Sequence, residues 1–162
     1  MNRRAAGFVF GIAFVLSMAG VSGAADEMEK SLYDRLGGEP AVAAVVENFV
    51  GRAASDPAVN FVRAGKKRTW DPSSENVAIL KKHLVQFVCS VAGGPQTYEG
   101  MDMKAAHEGM EITDEEFNAI AADLKAALAD LNVPEKEQGE LLAAVGTLRG
   151  SIVEEGQSGL AD

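Results

Sequence analysis

Imidazole and thiol are the side chains best suited to metal ligation and to proton transfer near neutral pH. The 162-residue sequence holds three of them: His83, His107 and Cys89. A single cysteine excludes an internal disulfide framework and any zinc site built on paired thiolates. Two histidines cannot furnish a centre that needs several imidazoles plus thiolates. They suffice for a metal that asks the protein for only one or two axial imidazoles. Fifteen Lys and Arg against 24 Asp and Glu leave a net charge of -9, which excludes a nucleic-acid binder that works through phosphate contacts.

The elements that must position these groups read as helices. Apolar residues recur at helical spacing over 40–55 (Val42, Val45, Val46, Phe49, Val50, Ala53) and again over 76–92 (Val77, Leu80, Leu84, Phe87, Val88, Val91). Gly37-Gly38 precedes the first run and Asp56-Pro57 ends it. Asp71-Pro72-Ser73-Ser74 offers N-caps for the second, and Gly93-Gly94-Pro95 stops it. Thr113 and Glu116 have the spacing of a capping box, opening a helix with Phe117, Ile120, Leu124, Leu128 and Leu131 on one face. Pro134 suits the first turn of a last helix running through Leu141, Leu142, Val145, Leu148 and Ile152. Little alternates with a period of two, so the expected fold is all-α.

At about 100° per residue, with Leu80 at zero, Leu84 lies at about 40°, Phe87 at about 340° and His83 at about 300°. His83 is therefore on the shoulder of the apolar face, either as a border residue or as a group reaching toward something buried. Cys89, at about 180°, faces away and reads as a small residue at a helix contact. His107 follows a short helical turn over 103–106, either as a partly exposed loop residue or as a ligand. Haem iron is a metal that one or two axial imidazoles can hold. The absence of Cys-x-x-Cys-His excludes covalent attachment of the c type.

Two long connections resist the bundle reading. Residues 63–74 are basic, then polar, and contain the only tryptophan, Trp70. Residues 94–110 carry Tyr98, Met101, Met103, His107 and Met110 with weak periodicity. Bundles normally use shorter connections. A methionine-rich stretch beside a histidine suggests that something other than protein fills part of the core, the alternative being methionines that plug gaps in packing.

The N-terminus reads as an export signal. Arg3 and Arg4 precede an uncharged, mostly apolar run from Gly7 to Gly20, and Ser22 and Ala24 flank a cleavage after Ala24. That run is short for a membrane span of about 20 residues. Residues 1–24 are thus expected to be removed, leaving an exported, periplasmic domain without stable membrane insertion; an uncleaved anchor is the alternative. No cysteine lies near the cleavage point to carry a lipid. The folded domain is expected over 28–155, with a disordered tail over 156–162.

Ser31-Leu-Tyr-Asp-Arg-Leu-Gly-Gly38, Val46-Glu-Asn-Phe49, Gly93-Gly-Pro95 with Tyr98 and Gly100, Met103-Lys-Ala-Ala-His107 and Ile112-Thr113 together resemble a truncated haemoglobin of the first group, over about 31–154. The resemblance implies a two-over-two helical sandwich around non-covalent haem b, with His107 as the proximal ligand. It also implies a pocket lined by Phe49, Phe61, Leu80, Leu84, Phe87 and Met103. Val88 and Phe117 read equally well as pocket or as core. The irregular 94–110 stretch becomes the segment that precedes the proximal helix in this family.

The sequence departs from the family on the distal side. Many members place tyrosine, a donor to dioxygen, where this chain has Val50, and polar residues where it has Leu80 and Leu84. The family's phenylalanine over the haem edge aligns with Phe61 or with Val62. His83, ten residues before Gly93, matches the position at which some cyanobacterial members carry a histidine that ligates the iron. It is expected as a sixth ligand; the alternative is five-coordinate iron with His83 turned to solvent or to a propionate. The implied function is reversible binding of oxygen, nitric oxide or carbon monoxide, or electron transfer with an unidentified reductase or partner. An enzymatic role as a nitric oxide dioxygenase or peroxidase-like protein is the runner-up, and the chain carries no flavin or nicotinamide motif of its own. The 65–70 segment reads either as a gate or a meeting point for an acidic partner, or as a solvated insertion.

Overall fold

A computed structural model describes residues 30–154; the expected signal over 1–24 and tail over 156–162 lie outside them. Among the described residues the elements are helical, with no strand. They are α1 (Leu32–Leu36), α2 (Gly38–Ser55), α3 (Ser74–Val91), α4 (Met103–His107), α5 (Asp114–Asp130), α6 (Glu135–Gly146) and α7 (Arg149–Ile152). The local rules select most boundaries. Ser73 caps α3 by accepting from the Asn76 amide. Thr113 and Glu116 form the reciprocal capping box of α5, with the Thr113 amide 2.9 Å from Glu116 Oε2 and the Glu116 amide 3.2 Å from Thr113 Oγ1.

Helix α1 is too short to show a period, and Gly37 divides it from α2 by adopting a left-handed φ of 100°. The second glycine pair explains why α1 exists. Tyr33 donates its amide to the Ala92 carbonyl at 2.8 Å, and a Cβ on Gly94 would fall 2.6 Å from the Tyr33 ring and 2.9 Å from the Cys89 carbonyl. Both glycine pairs serve one junction, which seats α1 on the end of α3. Arg35 then ties α1 to α6 through Glu137, at 3.0 Å, and Glu140.

The last helix differs from expectation. Pro134 is its N-cap, with extended ψ of 149°, rather than a first-turn residue. The helix also breaks at Thr147-Leu148. Gly146 weakens the turn there, and the Thr147 hydroxyl takes the Ala144 carbonyl at 2.7 Å. Helix α2 packs on α3 and on α5, and α5 on α6. The shared core holds Val42, Val45, Val46 and Val50 of α2, Val88 and Cys89 of α3, Leu124 and Leu128 of α5, and Leu141 of α6.

A buried arginine bolts the segment after α2 to the start of α5. Arg63 is only 4% exposed and donates to the carbonyls of Met110 (2.6 Å) and Glu111 (3.0 Å) and to Glu116 Oε2 (3.0 Å). Arg63 and Glu111 both adopt left-handed φ, 56° and 51°, at a cost of ~1 kcal/mol each. The charge-assisted bonds they allow outweigh that cost.

Burial alone would raise the Glu116 carboxyl. The Arg63 hydrogen bond, the Thr113 amide and the charges of Arg63 and Lys66 outweigh it, so the carboxyl lies below its ordinary value of 4.5. A lowered folded-state value means stability that is fully present above pH 4.5 and lost as pH falls through the lowered value. Circular-dichroism melting should therefore show Glu116→Gln less stable than the parent at neutral pH. The gap between the two should close as the pH falls below 4.5.

Candidate haem site

Asp102 starts α4 by accepting from the amides of Lys104 (2.9 Å) and Ala105 (3.1 Å). This single turn places His107 at its C-terminal end, half-buried. His107 Nδ1 lies 2.7 Å from the Met103 carbonyl oxygen. A carbonyl can only accept, so Nδ1 carries a proton and donates, and in the neutral ring Nε2 keeps its lone pair free. An imidazole whose second nitrogen is held by a backbone carbonyl is a fixed, basic metal ligand.

The other histidine sits on α3, also half-buried. Its ring meets Tyr98 edge-on, with centroids 6.2 Å apart, and Tyr98 meets Phe87 in the same way at 5.4 Å. The Tyr98 hydroxyl donates to the Met101 carbonyl at 2.8 Å. Burial, helped by the Asp102 charge, pushes that hydroxyl's pKa up, so it stays a donor. The loop curls so tightly around this ring that any Cβ on Gly100 would overlap it. Next to it, Glu99 accepts from Gln86 (3.0 Å) and Lys82 (3.4 Å). Those bonds hold the Glu99 carboxyl below its usual range. Tyr98 and Glu99 thus fasten the irregular 94–102 stretch to α3 beside His83.

The apolar residues proposed for the pocket divide into two sets. Val88 (8% exposed) and Phe117 (3%) are covered by protein and belong to the core, with the Arg149 guanidinium 4.5 Å over the Phe117 ring. Phe49, Phe61, Leu80, Leu84, Phe87 and Met103 are only half-buried. Four of these, Phe49, Phe61, Leu84 and Phe87, lean on the core cluster. Between Phe61 and Val62, the structure packs Phe61 inward against Trp70, centroids 5.0 Å apart, and leaves Val62 40% exposed. Val50 is buried in the core cluster. Cys89 is fully buried there, and burial, with the Glu39 charge, raises its pKa, so it is an inert thiol.

Six half-buried apolar side chains and a carbonyl-fixed imidazole suit a flat apolar cofactor with one axial ligand. Among the described residues no three His, Cys, Asp or Glu side chains gather where they could hold a metal unaided. The donor set therefore fits a metal that brings its own macrocycle. Sequence reasoning missed the parts played by Tyr98 and Arg63. Gly100, two residues after Tyr98, was a signal for the first. An arginine among basic residues gave no hint that it would be buried.

Comparison with known proteins identifies the family. The profile of the bacterial-like globin family matches residues 31–154. The group 1 truncated hemoglobin GlbN of Mycolicibacterium paratuberculosis is 35% identical over 122 residues, covering 75% of this chain and 83% of that protein. The truncated hemoglobin from Tetrahymena pyriformis in its Fe(III) form superposes with a TM-score of 0.67 at 27% identity, over 78% of this chain and 100% of that one. The 2/2 hemoglobin from Synechococcus sp. PCC 7002, solved in the cyanomet state with covalently attached heme, gives 0.64 at 33% identity, with the same coverage. The chain belongs to the bacterial-like globins, as a haem-binding group 1 truncated haemoglobin of the two-over-two fold.

Proposed function

We propose that this globin binds haem b non-covalently through His107 Nε2 and that His83 is the group with which external ligands compete. The observation that carries the reading is the His107 Nδ1 to Met103 carbonyl bond, which leaves the ligating nitrogen free and aimed by the backbone. Haem supplies reversible coordination of diatomic gases and one-electron exchange. The chain's own residues set how readily either happens. Phe49, Phe61, Leu80, Leu84, Phe87 and Met103 give the cofactor an apolar seat that excludes water. Two features support the non-covalent reading: the sequence lacks Cys-x-x-Cys-His, and Cys89 is buried in the core.

On the distal side, Leu80 and Leu84 offer no hydrogen-bond donor, and Val50, at the position where many members carry tyrosine, is buried in the core, so charge-assisted stabilisation of a polar ligand is lost. His83 is the polar group left there. Ligating His83 lowers the apparent affinity for oxygen, nitric oxide or carbon monoxide by the fraction of protein in which it is released. The same arrangement suits electron transfer with a separate reductase, a second reading favoured by the edge contact of His83 with Tyr98, which limits rearrangement. An enzymatic nitric oxide dioxygenase or peroxidase-like role would have to run its proton transfers through His83 alone.

Two substitutions test the site. His107→Ala should abolish the haem absorption band of the protein loaded with one equivalent, after gel filtration; a retained, unshifted band would contradict the assignment. His83→Leu should convert a low-spin reduced spectrum to a high-spin one and speed carbon monoxide association by about tenfold or more. Lost turnover with an unchanged association rate would favour the enzymatic reading instead. The export reading rests on residues 1–24 and has its own check, because the N-terminal residue of protein recovered from the periplasm should be Ala25.

A further inference from the structure

The connection between α2 and α3 is the part of the chain that haem binding leaves unexplained. It is folded back on itself. Lys66 donates its amide to the Arg63 carbonyl (3.2 Å), Trp70 to the Val62 carbonyl (3.0 Å), and the Trp70 ring rests on Phe61. Two guanidinium groups of this connection end on the backbone around the proximal histidine. Arg68 Nη1 donates to the carbonyls of Ala106 and Glu108, both at 3.2 Å, the residues immediately before and after His107. Arg63 takes the next ones, Met110 and Glu111. The Ala106 carbonyl belongs to the last turn of α4 and the Glu108 carbonyl to its C-cap, where carbonyls lack helical partners.

We propose that residues 63–70 form a proximal strap and that Arg68 is a positioning residue for His107. The inference rests on His107 being the haem ligand. Arg68 fastens the backbone on both sides of the ring, so the imidazole keeps one orientation. Its charge acts electrically as well. The Met103 carbonyl draws on the Nδ1 proton and makes His107 a stronger electron donor, and a cation on the flanking carbonyls opposes that donation. The strap therefore favours the reduced state of the iron. Its neighbours are Lys67, paired with Glu111 at 3.4 Å, and the acid Glu108.

Arg68 is exposed, so replacing it spares the core. The test uses haem-loaded full-length protein carrying His83→Leu, in which the reduced iron has His107 as its single protein ligand. Adding Arg68→Gln should lower the midpoint potential in spectroelectrochemistry, shift the iron–histidine stretching band in resonance Raman, and speed haem loss to apomyoglobin by about tenfold. Arg68→Lys, which keeps the charge but not the two-pronged grip, should restore the potential and leave the haem-loss rate raised. Parental potential and band position in Arg68→Gln would overturn the strap, even with a lowered melting temperature. A band that survives His107→Ala would instead overturn the haem ligation on which the strap rests.

Discussion

The hydrogen bond from His107 Nδ1 to the Met103 carbonyl is the constraint on which the proposed haem ligation turns. It is made within one turn of helix, by a residue and its neighbour four places back. Its strength therefore depends on whether that turn forms at all. Five residues are far too few for a stable helix in water. Asp102 caps the N-terminal end, Arg68 covers carbonyls at the C-terminal end, and the turn packs on α7. A proposed ligand that looks local is thus held by its own cap and by two distant stretches of chain.

Element length and chain separation decide which features the residues reveal in advance. Helices α2, α3 and α5 are long enough for their apolar stripes to repeat, and the Thr113–Glu116 box marks its own start, so these were legible. Helix α1 has five residues and no period, and only its contact with Gly94 makes sense of it. The break at Thr147 is a competition between a hydroxyl and the helix for one carbonyl, which spacing alone cannot report. In the site, the types and spacing of Met103 and His107 were readable. Arg63 and Arg68 were not, because a run of basic residues ordinarily marks a solvated surface, and here each guanidinium ends on backbone carbonyls that become neighbours only in three dimensions.

Opposite sides of the proposed haem site follow different physical strategies. The proximal side is polar and over-determined, with carbonyls, two arginines and Glu116 in one network. The distal side is apolar apart from His83, which is packed edge-on against Tyr98. Tyr98 is itself held by the Met101 carbonyl and backed by the Glu99 contacts to Lys82 and Gln86. Under the proposed ligation, a rigid proximal histidine combined with a releasable distal one would make ligand access depend on a side-chain rearrangement rather than on rebuilding the fold.

Proton NMR of the haem-loaded, carbon monoxide-saturated ferrous protein is the sharpest test of His107 ligation, because it observes the His107 ring protons themselves. The expected spectrum shows a slowly exchanging proton on His107 Nδ1, with through-space contact to Met103 and no proton on Nε2. A His107 ring protonated on Nε2 would contradict it, since that nitrogen would then be unable to hold the iron.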